Sequence, residues 1–188
     1  MRVSSICLGP LATNCYLVEL GGKRVLIDPA EPSQTLRTFV GDAAVDVVAL
    51  THGHFDHVGG AWDHDGAAVM MHEADLPYVD HYFPDRGPID RFVDEGDEIL
   101  PGLKVLYVPG HSPGSAVLLA DGAIFAGDLL FAGSIGRTDL PGGSPREMEA
   151  SLRRIAGLAG DLTVYPGHGE TTTLGRERRA NPFLVRFD

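Results

Sequence analysis

Leu50-Thr51-His52-Gly53-His54-Phe55-Asp56-His57 places four possible metal ligands within six positions. The apolar run Val45–Leu50 leads into them and reads as a buried strand. Val58, Gly59 and Gly60 follow, then Ala61 and Trp62, which are expected to continue a helix opening near Asp56. A strand thus ends by presenting imidazoles and a carboxylate at its C-terminal edge, where open α/β architectures hold their ligands. Neutral imidazole and carboxylate are the usual N/O ligands of Zn²⁺ and similar divalent ions. Alternate residues of an extended segment share a face, so His52 and His54 point the same way and can grip one ion. Asp56 and His57 lie where the chain turns, within reach of a second ion roughly 3.5–4 Å from the first.

The 188 residues fit one domain, and 44% hydrophobic with 22% charged residues is an ordinary globular composition. A net charge of −11 repels phosphate backbones, which argues against nucleic acid as a partner. The one basic run, Arg176-Glu177-Arg178-Arg179, reads as a solvated helix face. No apolar stretch approaches the roughly 20 residues that span a bilayer. The start, Met1 to Cys7, lacks the apolar region of a secretion signal. The expected location is the cytoplasm, with no membrane partner. Cys7 and Cys15 fall in the first two strands and read as two buried thiols rather than a disulfide.

Along the chain, Val3–Leu8 and Asn14–Leu20 read as strands joined at Gly9-Pro10. Gly21-Gly22 signals a hairpin into a third strand, Arg24–Ile27, which ends at Asp28-Pro29. Ser33 is placed to cap a short helix that stops before Gly41. Ala67–Met71 is a further strand, followed by a short segment broken by Pro77. The polar stretch from His81 to Asp97 reads as a loop or an excursion over the site. Leu103–Val108, Ala116–Ala120, Ala123–Ala126 and Leu162–Tyr165 complete the strands. Ser144-Pro145-Arg146-Glu147 has the form of a capping box with proline at the first helical position. Met148, Leu152 and Ile155 then recur at helical spacing, and a last helix runs from about Leu174 to Ala180. Strands, a helix, more strands and then helices predict two sheets packed face to face with helices outside.

The remaining ligands repeat one grammar. His111 follows Val105–Val108 and Pro109-Gly110, Asp128 follows Ala123–Ala126 and Gly127, and His168 follows Val164-Tyr165 and Pro166-Gly167. Each stands one residue past a glycine at a strand end, where glycine lets the backbone turn sharply and approach a ligand closely. With the first cluster they make seven N/O ligands. His64, His72 and His81 lack this context and are taken as non-ligands.

The pattern T-H-x-H-x-D-H, followed by single His, Asp and His at strand ends, resembles the metallo-β-lactamase superfamily over essentially the whole chain. Within it, Phe131-Ala132-Gly133-Ser134-Ile135-Gly136-Arg137-Thr138-Asp139 and Tyr165-Pro166-Gly167-His168-Gly169-Glu170-Thr171-Thr172 resemble the glyoxalase II-like group, the hydroxyacylglutathione hydrolases. The resemblance implies a four-layer αββα sandwich of two mixed β-sheets flanked by helices. It implies one metal on His52, His54 and His111, another on Asp56, His57 and His168, and Asp128 bridging both. It also implies a single metallo-hydrolase domain over residues 1–188, without the extra C-terminal helical segment with which full-length glyoxalase II enzymes hold glutathione. Arg137 takes the place of the family's basic residue and is expected to meet a substrate carboxylate, while Asp139 stands where an aromatic is usual. The Gly-Arg-Thr-Asp run is shared with persulfide dioxygenases.

The expected chemistry is hydrolysis of a small-molecule thioester. Two divalent cations, zinc first with iron or manganese as alternatives, lower the pKa of a shared water towards neutrality. Asp56 is expected to ligate and to orient the resulting nucleophile. The thiolate leaves with little acid help, because thiol pKa values are already about 8.5. The rival enzyme reading is a persulfide dioxygenase with one iron. Lactonase or β-lactamase activity ranks below both, and a metal-stabilised binding module ranks last because it requires a closed coordination shell.

Overall fold

A computed structural model describes residues 1–187. The first half of the chain builds one six-stranded sheet from β1 (Arg2–Leu8), β2 (Thr13–Leu20), β3 (Lys23–Ile27), β4 (Val47–Ala49), β5 (Ala68–Met71) and β6 (Arg91–Phe92), in that spatial order. Helices α1 (Gln34–Val40), α2 (Phe55–Val58) and α3 (Leu76–Tyr82) connect its later strands. The second half builds another six-stranded sheet from β7 (Glu98–Leu100), β8 (Leu103–Tyr107), β9 (Ala116–Ala120), β10 (Ala123–Gly127), then β13 (Thr163–Pro166) and β14 (Thr172–Thr173). Between β10 and β13 lie a small hairpin, β11 (Leu130–Phe131) with β12 (Ser134–Ile135), and the long helix α4 (Pro145–Ala156). Helix α5 (Leu174–Ala180) follows β14, and a 3-10 turn at Val185–Phe187 comes after it.

Side-chain alternation along the strands creates the layers. In β2, Cys15 and Leu17 pack with the helices of the first half, while Tyr16 and Val18 face the other sheet. In β4, Val48 points to the helices and Val47 and Ala49 point between the sheets. In β10, Phe125 points between the sheets and Ile124 and Ala126 point outward onto α4 and α5. The strands therefore read as near-continuous apolar runs, because both faces are buried. Three apolar layers separate four structural ones, and the αββα sandwich read from the sequence is the observed fold.

Both sheets are mixed. β3, β4, β5 and β6 run parallel in the first, as do β10 and β13 in the second. β8 is antiparallel to β9, which is antiparallel to β10, so β8 shares the direction of β10 and β13. The C-terminal ends of β8, β10 and β13 consequently lie along one edge, and those of β3 and β4 share one edge of the first sheet. The start of β2 joins the two edges. Its Asn14 donates through Nδ2 to the carbonyls of Pro166 and Gly169, and the Tyr16 hydroxyl donates to the Pro166 carbonyl at 2.6 Å.

Several elements match the sequence reading, and several differ for identifiable reasons. Gly21 and Gly22 both adopt positive φ, as the tight β2–β3 turn requires. The Ser33 hydroxyl accepts from the Leu36 amide, capping α1. Only half of the expected capping box forms at α4: Ser144 Oγ accepts from Glu147 N, but Ser144 N donates to the Gly110 carbonyl instead of to Glu147. The strand expected over Val45–Leu50 is confined to Val47–Ala49. The helix at Asp56 does not continue to Trp62. It ends at Val58, because the amides of Gly59 and Gly60 turn away to the carbonyls of Ala30 and Pro29. Pro77 does not break its segment; it occupies the first turn of α3, where its missing N–H costs nothing. The stretch from His81 to Asp97 is not all loop, since Arg91–Phe92 adds an edge strand. Cys15 is buried but Cys7 is exposed, on the opposite side of edge strand β1 from Ile6 and Leu8. Arg178 is not part of a solvated face: its guanidinium donates to the carbonyls of Ala156, Leu158 and Gly160 at the end of α4.

Candidate metal centre

The strand ends meet. His52 and His54 come from the loop after β4, His111 from the loop after β8, and their ring nitrogens offer one common point. Asp56 and His57, from α2, come together with His168, from the loop after β13, at a second. Asp128, one residue beyond β10, lies between the two trios. Its Oδ1 is 3.4 Å from His57 Nε2, and its Oδ2 is 3.4 Å from His111 Nε2 and 3.5 Å from His168 Nε2. His54 Nδ1 stands 2.8 Å from His111 Nε2, and His57 Nε2 stands 3.4 Å from His168 Nε2. All seven residues picked from the sequence are thus brought into one cluster. His64 and His72 stand outside it; His81 lines the cleft above it.

The glycines before the ligands make this approach possible. Gly127 has φ of +46°, and a Cβ there would sit 2.4 Å from Thr51 Oγ1. A Cβ on Gly167 would sit 2.2 Å from Asp128 Oδ1 and 2.8 Å from His57 Cε1. Any side chain at Gly167 would enter the cluster itself.

Three of the five imidazoles are oriented from behind by a carbonyl or a carboxylate. His111 Nδ1 lies 2.8 Å from the Arg137 carbonyl, and His168 Nδ1 lies 3.1 Å from the Leu11 carbonyl. A carbonyl only accepts, so these Nδ1 atoms carry the hydrogen, and in the neutral ring each Nε2 has its lone pair towards the cluster. His57 Nδ1 is bonded to Asp28 Oδ2 at 2.9 Å. Asp28 also accepts from the Thr51 amide and hydroxyl, at 2.8 and 2.6 Å. Asp28 falls within reach of His52 and His57 as a third potential trio. Its oxygens are already used, which makes it an orienting group rather than a ligand.

The residues fit divalent cations. His52 Nε2 and Asp128 Oδ1 are buried and have no hydrogen-bond partner, a cost that a cation would remove. Burial first, and then the neighbouring imidazoles, hold His52 well below the usual histidine range. Burial and His111 bring His54 down to about 4. Both rings are therefore neutral near pH 7, the form that ligates. At the other trio the carboxylates call for positive charge. Burial opposes protonation of His57, but Asp128 and Asp28 outweigh it and raise the pKa to about 9. His168 is raised chiefly by its bond to Asp56. Asp56 is held ionised against its burial by His168, His57 and the Thr13 hydroxyl, which donates to its Oδ2 at 3.0 Å.

Two supports escaped the sequence reading. Asp28 directly follows β3, so its strand-end position was a usable signal although no glycine precedes it. Asp75 had none. Its buried carboxylate accepts from Gly53 N at 2.8 Å and Ser112 Oγ at 2.6 Å through Oδ2, and from Gly114 N at 2.6 Å through Oδ1. It thereby ties the His52–His54 turn to the loop that carries His111.

Above the cluster opens a cleft of about 950 Å³. Arg137 lines it, with its guanidinium held by Asp139 through Nε at 2.7 Å and Nη2 at 2.8 Å.

Comparison with known proteins agrees with this geometry. Residues 8–168 match the family model of the metallo-beta-lactamase superfamily. The hydroxyacylglutathione hydrolase GloC of Haemophilus influenzae is 34% identical, over 98% of both chains. The structure of TTHA1623 in a di-iron-bound form superposes with a TM-score of 0.89 at 40% identity, covering 96% of this chain and all of that one. ETHE1 from Myxococcus xanthus superposes with a TM-score of 0.80 at 27% identity, covering 97% of this chain and 84% of that one. This chain belongs to the metallo-β-lactamase superfamily of metal-dependent hydrolases.

Proposed function

We propose that the protein hydrolyses thioesters of the hydroxyacylglutathione type, using two divalent ions, with zinc the first choice. His52, His54 and His111 would hold one ion, Asp56, His57 and His168 the other, with Asp128 shared. The observation that carries this reading is the position of Asp128, whose two oxygens reach both trios at 3.4–3.5 Å. The likeness to GloC supports the choice of substrate. When bound, such ions supply Lewis acidity that acidifies water and polarises a carbonyl.

The chain supplies the rest. Asp56, kept ionised beside His168, accepts a hydrogen bond from the attacking water and orients it. Asp28 and the Leu11 carbonyl fix the rings of His57 and His168, so that the water has one position. The leaving thiolate needs no acid. No protein nucleophile is called for: Ser112 and Ser115 are bonded to each other, Ser112 also to Asp75, and Cys15 lies buried in the core. Arg137 would take a substrate carboxylate only by exchanging it for Asp139. A cytoplasmic location belongs to the same proposal; among the described residues no helix is long and apolar enough to cross a membrane.

The second reading, oxidation of a glutathione persulfide at one iron, draws on Gly136-Arg137-Thr138-Asp139. The di-iron form of TTHA1623 adds that a similar chain can carry iron. Elemental analysis of freshly purified protein, with thiol release from S-lactoylglutathione assayed beside oxygen uptake on glutathione persulfide, separates the two. Two metals per chain with thiol release supports hydrolysis. One iron with oxygen uptake and no thiol release overturns it.

A further inference from the structure

The cleft above the cluster has walls that the hydrolytic reading does not use. Leu11, Phe55, Tyr78, Tyr82, Phe131 and Ile135 line it, with the scissile position fixed at its floor by His54, His111, Asp128 and His168. Leu11 is 51% exposed, Phe55 45% and Tyr82 47%. Large apolar side chains left open beside a site mark a binding surface. The wall is also braced: Phe55 packs on Tyr82 at 5.4 Å between ring centroids, and Tyr78 packs on His54 at 5.3 Å. The Tyr78 hydroxyl donates to the Pro141 carbonyl, which joins α3 to the loop across the cleft. That hydroxyl is therefore occupied, and the ring presents its apolar face.

We infer that this wall receives the acyl half of the thioester, and that the preferred acyl group is apolar or aromatic. The inference rests on the thioesterase reading and narrows it. The two halves of a hydroxyacylglutathione differ sharply in character. Glutathione carries two carboxylates and one ammonium, and the one arginine among the described residues lining the cleft, Arg137, is already paired with Asp139. The chain as a whole is strongly acidic, at −11. The charged half fits solvent, and an apolar acyl group fits the wall. A cleft of about 950 Å³ has room for a phenyl ring where a lactoyl group places only a methyl.

The test keeps the thiol constant and changes the acyl group. The metal-loaded protein is assayed with S-lactoylglutathione and S-mandeloylglutathione, in which phenyl replaces methyl. Calorimetry beside it compares S-methylglutathione with S-benzylglutathione, thioethers that cannot be hydrolysed. We expect kcat/KM to favour the mandeloyl thioester about tenfold. S-benzylglutathione should bind about tenfold tighter than the methyl thioether, with the more negative heat-capacity change of apolar burial. In Leu11→Ser/Tyr82→Ser, which alters exposed positions, both ratios should fall towards one. Equal or reversed ratios in the unmodified protein overturn the inference, as do ratios that survive the double substitution. If neither thioester is cleaved, the thioesterase reading fails by itself. The thioether affinities then decide separately whether the wall binds apolar groups.

Discussion

Asp75→Asn tests whether the metal centre depends on a group that touches no proposed ligand side chain. The carboxylate is completely buried and accepts three hydrogen bonds, from Gly53 N, Ser112 Oγ and Gly114 N. An asparagine oxygen in place of Oδ2 keeps the first two bonds. Its amide group then confronts the Gly114 N–H, donor against donor. Losing one charge-assisted bond and leaving a buried donor unpaired costs about 2–3 kcal/mol. For a chain of this size that lowers Tm by roughly 5–10 °C. The more specific effect falls on the trio His52, His54 and His111, because Gly53 separates the first two and Gly114 lies three residues beyond the third. Loss of such outer support lowers metal affinity about 10–100-fold. The assay is metal competition against a chromophoric chelator, with thermal unfolding alongside. Glu177→Gln is the control: that buried carboxylate also accepts three bonds, from Gly133, Thr172 and Asn181, none of them a cluster residue. If Asp75→Asn loses stability as the control does but holds metal with unchanged affinity, the positioning argument is refuted.

Gly167→Ala is expected to abolish metal binding while leaving a folded chain, because its methyl would lie 2.2 Å from Asp128 Oδ1; circular dichroism and metal analysis check both halves. Tyr16→Phe is expected to cost only about 1 kcal/mol in denaturant unfolding, since the Pro166 carbonyl keeps its bond from Asn14 Nδ2. A thiol reagent should label one cysteine rapidly in the native protein and a second only on unfolding. Cys7 is exposed, while burial both hides the Cys15 thiol and pushes its pKa up.

What the sequence disclosed, and what it withheld, follows from the range of the interactions. The ligand set was legible because its signals are local: four ligands crowd the six positions from His52 to His57, and His111, Asp128 and His168 each follow a glycine at a strand end. Helix α5 was legible to its boundaries because Leu174 to Ala180 has a local cap and a local stop. Asp75 was not, since its partners lie 22 to 39 residues away and nothing beside it announces them. The exposure of Cys7 depends on β1 being an edge strand, which is a property of sheet order rather than of the hexapeptide around it. Pro77 illustrates the other failure: proline breaks a helix from within but begins one well, and only the preceding turn at Glu73–Asp75 decides which applies. Arg137 was legible as a basic residue at the site, while its partner Asp139, two positions on, became visible as such only in the folded loop.

The proposed thioesterase activity requires the seven converging side chains to bind cations. The decisive experiment strips the protein with a chelator and titrates it with Zn²⁺ while thiol release from S-lactoylglutathione is followed. We expect no activity at the start, a rise with added metal, and saturation at about two equivalents per chain. Hydrolysis that persists in the stripped protein, or metal uptake without any hydrolysis, would contradict it.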